Sequence, residues 1–134
     1  MQQRAMGYGR YSDEELQKKS SITDQRRNFE AYVQDRGLKL AGFHGDEGIS
    51  GGTMARPGLR AVMEAVSKGL IDVLVIEDVD RLGRDQEHLQ NIKKLLVQYD
   101  VKLHTLEFGG EIPDLLFSFK GIFSEQHRAS IRYW

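Results

Sequence analysis

The sequence predicts an α/β fold: a mostly parallel sheet of four to five strands flanked by helices, with a long C-terminal helix. Three observations carry this expectation. The run "IDVLVIEDV" from Ile71 is almost continuously apolar and β-branched, the mark of a strand buried on both faces of a parallel sheet. Strand-like runs alternate with segments of helical period in the order β-α-β-α-β-α-β-α, which closes into a sheet covered by helices through right-handed crossovers. A chain of 134 residues, 40% of them hydrophobic, is long enough for one domain with a core and too short for two.

The elements follow in chain order. "RAMGYGR", Arg4 to Arg10, reads as the first strand, because a polar loop and a helix signal come after it. The loop is "SDEELQKKSS", residues 12–21. Within it Ser12 precedes Glu15 by three residues, the spacing of a capping box. Ser21, with Asp24 three residues on, is the better helix start, since Ile22, Phe29, Tyr32 and Val33 fall near helical spacing up to a stop at Gly37. The first helix therefore spans about Thr23 to Arg36, and Ser12 keeps two readings, helix cap or nucleophile.

"LKLAGFH", Leu38 to His44, alternates and predicts the second strand. "GDEGISGGTMARPG", Gly45 to Gly58, holds five glycines and a proline, so it predicts a mobile loop without regular structure, of a length usually reserved for function. Pro57 suits the first turn of a helix carrying Leu59, Val62, Met63 and Val66 and ended by Gly69. The buried strand from Ile71 comes next, and "DRLGRD" turns the chain into a helix from about Gln86 to Tyr99, with Leu89, Ile92, Leu95 and Leu96 on one face. "VKLHTLEF" is the following strand. "IPDLLFSFKGIFSEQHRASIRYW" then places Leu115, Leu116, Phe119, Ile122, Phe123 and Ile131 on one stripe of a long helix, whose apolar face serves either the core or a partner helix.

Composition narrows the function classes. Nineteen basic and 20 acidic residues leave a net charge of −1, without the positive field of a self-sufficient DNA binder. Any nucleic-acid contact needs basic groups focused in one place or affinity from another domain. With no cysteine, the chain has no disulfide, thiolate metal site or cysteine nucleophile. His44, His88, His104 and His127 are scattered, which speaks against a zinc site. There is no apolar run near the roughly 20 residues a membrane helix needs and no secretory-type amino terminus, so the expected location is the cytoplasm. The glycine-rich loop matches neither G-x-x-x-x-G-K-[ST] nor G-x-G-x-x-G, which speaks against a nucleotide cofactor.

In parallel sheets ligands sit beyond the carboxyl ends of the strands. Those ends, "GRYS", "GDEGISGG" and "DVDRLGR", bring Arg10, Ser12, Asp46, Arg56, Asp80, Arg81 and Arg84 toward one edge. A hydroxyl among arginines suits attack on a phosphate, because a guanidinium holds two phosphate oxygens with parallel hydrogen bonds and keeps its charge. Phosphoryl transfer needs positioning and charge stabilisation above all.

"YGRYS" with Arg10 and Ser12, "SITDQRR" with Gln25, "DEGISGGTMARPGL" with Asp46, Ser50, Gly51 and Arg56, and "IEDVDRLGRD" with Asp80, Arg81 and Arg84 together resemble the catalytic domain of the serine recombinases, the resolvase and invertase family. The resemblance runs from Tyr8 to about Arg132. The extra residues between Ser12 and Ser21 look more like the large serine recombinases and transposases than the short resolvases. The resemblance implies that Ser12 attacks a DNA phosphodiester, forming a 5′-phosphoserine link and releasing a 3′-hydroxyl. It implies that Arg10, Arg81 and Arg84 bind the scissile phosphate, and that Asp80 orients an arginine or manages the leaving hydroxyl's proton. Asp46 and Arg56 would shape the active site, and Gln25 would support the nucleophile side.

Rejoining would then need neither ATP nor metal, and the protein would work on DNA as a homodimer that synapses into a tetramer. Residues 1–112 would form the α/β catalytic core, and residues 113–134 the start of a long helix for dimerisation that leads to a separate DNA-binding domain. Alone, the chain would bind DNA weakly and with strong salt dependence. Gly9 and Tyr11 depart from the family's small residue and valine, and His127 stands where a Glu-Arg pair is common, which puts the role of Arg128 in question. Two other readings stand beside this one: a catalytically inactive recombinase-like scaffold or oligomerisation domain, and a phosphate-binding or receiver-like domain. A receiver would want clustered acids where the chain has "GRYS".

Overall fold

Alternation along the first strand sets the two faces of the sheet. In the computed structural model, which describes residues 2–11, 21–47, 56–83 and 85–113, this strand is β1, Arg4–Tyr11. Met6 and Tyr8 join one core cluster, while Ala5 joins the other, as the two-residue period of a strand requires. The strand is followed by α1 (Ile22–Asp35), β2 (Lys39–Glu47), α2 (Pro57–Ser67) and β3 (Val73–Ile76). A 3-10 turn at Val79–Arg81, α3 (Gln86–Gln98), β4 (Lys102–Thr105) and β5 (Gly110–Glu111) complete the described elements.

The sheet has the order β2-β1-β3-β4-β5. Its first four strands are parallel, and β5 returns antiparallel to β4. α1 packs on one face through Phe29 and Val33, against Ala5, Val73 and Val75. α2 and α3 pack on the other through Leu59, Val62, Val66, Leu89, Ile92 and Leu96, against Met6, Tyr8, Leu74 and Ile76. From β1 the chain moves outward to β2, then crosses back to β3 on the other side of β1. The strand order therefore reverses between β1 and β3, which opens a crevice at their carboxyl ends.

Small residues let α1 sit close. A methyl group at Gly7 would stand 2.7 Å from the rings of Phe29 and Phe43, and one at Gly9 would stand 2.6 Å from Gln25 Oε1. The glycine at position 9 thus provides the space that Gln25 fills. Ser21 caps α1 as expected, its hydroxyl accepting from the Asp24 N–H at 3.1 Å.

Three expectations are corrected. The second strand does not stop at His44: β2 continues through Gly45, Asp46 and Glu47, because these residues pair in register with Gly9, Arg10 and Tyr11 of β1. Ladder pairing overrides the local glycine content there. The third strand is shorter than "IDVLVIEDV", since the chain leaves the sheet after Ile76 for the 3-10 turn. The "VKLHTLEF" strand ends at Thr105, where a turn through Gly109 (φ 86°) leads into β5. The remainder of the glycine-rich loop, residues 48–55, and the expected long helix from residue 114 onward lie outside the described residues. No helix among the described residues is long and apolar enough to cross a membrane.

One contact makes stability pH-dependent. Tyr32 on α1 shares a 2.7 Å hydrogen bond with His104 Nδ1 on β4, and Arg36 stacks over the Tyr32 ring at 4.9 Å. Burial lowers the His104 pKa, Glu111 opposes this, and Arg36 adds to it. A histidine held neutral by the fold stabilises it above the unfolded value of about 6.5, and that contribution is lost as pH falls through the lowered folded value. Chemical denaturation of wild type will therefore show declining stability below about pH 6.5. His104→Gln will flatten that part of the profile, and an unchanged slope would refute the assignment.

Candidate active site

Arg10, Arg56 and Arg81 arrive from three elements and converge on one turn. Arg10 lies at the carboxyl end of β1, Arg56 is the cap residue of α2, and Arg81 ends the 3-10 turn after β3. Their relative exposures are 1%, 0% and 2%. The arginines expected at one edge of the sheet are therefore a buried cluster, and the reason lies in the backbone. Leaving the sheet at Ile76 frees main-chain carbonyls in the following turn, and buried carbonyls need donors.

The guanidiniums supply those donors. Arg10 Nη2 donates to the Asp80 carbonyl at 3.0 Å, and Arg10 Nε donates to the Arg81 carbonyl at 3.3 Å. Arg81 Nη1 donates in return to the Arg10 carbonyl at 2.6 Å. Each arginine thus holds the other's main chain, and the end of β1 is locked to the turn after β3. Arg56 Nη1 donates to the Arg81 carbonyl at 3.2 Å and Nη2 to the Leu82 carbonyl. Burial lowers the Arg56 pKa, with Arg10 acting in the same direction and Tyr8 and Asp46 opposing it.

Asp46 organises the second half of the cluster. Arg56 makes no side-chain cap to α2, and Asp46 from β2 takes that role. It accepts from the Gly58 N–H at 2.8 Å and the Leu59 N–H at 3.0 Å, a carboxylate at the positive end of a helix. The Tyr8 hydroxyl donates to Asp46 Oδ2 at 2.7 Å and accepts from Arg56 Nη1 at 3.4 Å. Burial, reinforced by the Asp46 hydrogen bond, raises the Tyr8 pKa against the pull of Arg56. Gly58 is required here, because a Cβ would stand 2.9 Å from Asp46 Oδ2 and from the Gly45 carbonyl.

Gln25 joins the cluster from α1. Its Oε1 accepts from the Arg10 N–H at 3.0 Å and its Nε2 donates to the Arg10 carbonyl at 3.3 Å, so the amide pairs with the Arg10 backbone as a strand would. Asp80 contributes its main-chain carbonyl to Arg10. The structure thus brings together Arg10, Gln25, Asp46, Arg56, Asp80 and Arg81. Ser12, Arg84 and Arg128 lie outside the described residues. In sequence, Ser12 follows the last residue of β1 and Arg84 follows Gly83, so both adjoin the segments that the arginine exchange joins. Among the described residues no group of three or more His, Asp or Glu side chains comes together to hold a metal ion.

Two members were not singled out from sequence as site residues, Tyr8 and Glu77. Tyr8 and Arg10 are two apart on one strand and so share a face, a signal that was present in "YGR". Glu77 Oε1 accepts from Arg81 Nη2 at 3.2 Å, an i,i+4 pair formed across a strand end and turn rather than along an α-helix.

The family model described as Resolvase, N terminal domain, matches residues 5–133. A protein of Bacillus subtilis (strain 168), provisionally named a DNA recombinase, is 31% identical over 133 residues, covering 93% of this chain and 25% of its own length. The transposon Tn501 resolvase of Pseudomonas aeruginosa is 34% identical over 90 residues, covering 62% of this chain and 47% of its own. The chain thus spans a quarter to under half the length of these relatives. Among solved structures, the N-terminal catalytic domain of TP901-1 integrase superposes with a TM-score of 0.75 at 19% identity, over 94% of this chain and 97% of that one.

Proposed function

The chain belongs to the resolvase family of serine recombinases, and from that premise we propose that it is the catalytic domain of a site-specific DNA recombinase acting through Ser12. The observation that carries the reading is the exchange between Arg10 and Arg81. It fixes the strand end that leads into Ser12 against the turn that leads into Arg84.

In the proposed reaction the Ser12 oxygen attacks the scissile phosphorus as its proton leaves. The bond to the 3′-oxygen breaks, that oxygen takes a proton, and the 5′-phosphate stays on the serine. Attack by the 3′-hydroxyl of a partner strand reverses the step and returns the proton to Ser12. Arg10, Arg81 and Arg84 would stabilise the phosphate's developing charge, because guanidiniums are strong, permanently charged donors to phosphate oxygens. Asp80 and Gln25 fix Arg10 through the backbone, and Asp46 and Arg56 hold the start of α2. In this reading residues 113–134, Arg128 among them, would serve dimerisation and lead to a separate DNA-binding domain in the full-length protein. Dimers that pair into tetramers carry out strand exchange on DNA in the cytoplasm.

A second reading, a scaffold that does not cleave, draws on one observation: Arg10 and Arg81 are almost fully buried. The two readings part in one experiment. The full-length protein is incubated with nicked DNA carrying its crossover site. The recombinase reading expects 5′ ends blocked by protein and free 3′ ends that a polymerase extends, both lost in Ser12→Ala. Uncut DNA, or protein on the 3′ ends, would refute it.

A further inference from the structure

We propose that Glu77 is a positioning residue for Arg81, an inference that rests on the recombinase reading. Arg81 is 2% exposed in its side chain and Glu77 18%, so the pair sits where a charge needs a fixed partner. Glu77 is the first residue after β3. Asp78 is extended (φ −154°, ψ 168°), and the 3-10 turn that follows it, Val79–Arg81, brings residue 81 back onto residue 77.

Both carboxylate oxygens are engaged. Oε1 accepts from Arg81 Nη2 at 3.2 Å, and Oε2 accepts from Asn28 Nδ2 on α1 at 3.2 Å. A carboxylate offers only acceptors, so it serves both donors at once. A guanidinium is planar and rigid, so holding two of its nitrogens limits how far it can swing. Arg81 Nη1 is held by the Arg10 carbonyl at 2.6 Å, and Nη2 is held by Glu77. Asp78 Oδ2, at 4.0 Å from Nε, is a more distant neighbour.

α1 therefore reaches both halves of the exchange. Gln25 pairs with the Arg10 backbone, and Asn28, three residues on and on the same face, holds the carboxylate that holds Arg81. When a phosphate takes up donors of Arg81, Glu77 keeps hold of Nη2 and limits the guanidinium's swing.

The test is single-turnover cleavage by the full-length protein on its own crossover site, comparing wild type, Glu77→Gln, Arg81→Lys and the double variant. Glutamine keeps the shape and one acceptor oxygen, so the fold is retained. Glu77→Gln is expected to lower the rate at saturating DNA about tenfold, with half-saturating DNA unchanged and the protein still folded at the assay temperature. In the Arg81→Lys background the same change is expected to cost less than about twofold, because its effect passes through the guanidinium. A Glu77→Gln rate equal to wild type overturns the inference, as does a full further drop in the Arg81→Lys background or a drop explained by unfolding at the assay temperature. If wild type forms no Ser12 adduct, the recombinase reading falls and this inference with it. An adduct in wild type beside an undiminished Glu77→Gln rate overturns this inference alone.

Discussion

Arg56→Ala will destabilise the fold by about 2–4 kcal/mol in chemical denaturation, because it leaves buried carbonyls without their donors. Arg56 is fully buried and bridges the carbonyls of Arg81 and Leu82 to the Tyr8 hydroxyl. Alanine also leaves a void where the guanidinium lay. Methionine separates the two effects, since it restores volume without donors. Arg56→Met is expected to recover less than half of the loss, because the carbonyls cost more than the space. Arg56→Lys presents one ammonium where a planar fork spans two acceptors, so it too falls short of wild type. Full recovery by methionine would show that Arg56 acts by packing alone.

Arg10 carries the second large effect, and it divides between stability and chemistry. Arg10→Ala removes the donors to the Asp80 and Arg81 carbonyls and loosens β1 from the turn. A loss of roughly 2–3 kcal/mol in stability is expected. Cleavage by the full-length protein is expected to fall by on the order of 10² to 10³, the usual effect of losing one donor to a developing oxyanion. Arg10→Lys tells the two apart. A lysine recovers part of the stability through a single carbonyl, while cleavage stays low because the bidentate geometry is gone. If Arg10→Lys cleaves like wild type, Arg10 holds the scaffold and does not contact the phosphate.

Elements with a strong local signal were legible in the sequence. The run through Val73 to Ile76 could be read as a buried parallel strand, and Ser21 as the cap of α1, because each depends on near neighbours in the chain. β2 was misread at its carboxyl end because its extension through Glu47 rests on pairing with Tyr11, which glycine content does not reveal. β5 is two residues long and exists only against β4. The convergence of Arg10, Arg56 and Arg81 was legible from strand ends and topology. Their burial was not, since a residue type that suits phosphate equally suits the carbonyls of a turn. Tyr8 was legible only as sharing a face with Arg10, and the partners that give Tyr8 and Glu77 their roles include residues of other elements, Asp46 on β2 and Asn28 on α1.

Mass spectrometry of the trapped protein–DNA adduct tests the central claim most directly. The full-length protein is captured on a suicide substrate, digested with protease and nuclease, and the modified peptide is sequenced. The phosphoryl group is expected on Ser12, in the peptide that follows Arg10 and Tyr11. A modification mapped to any other residue, or an adduct that persists in Ser12→Ala, would contradict it.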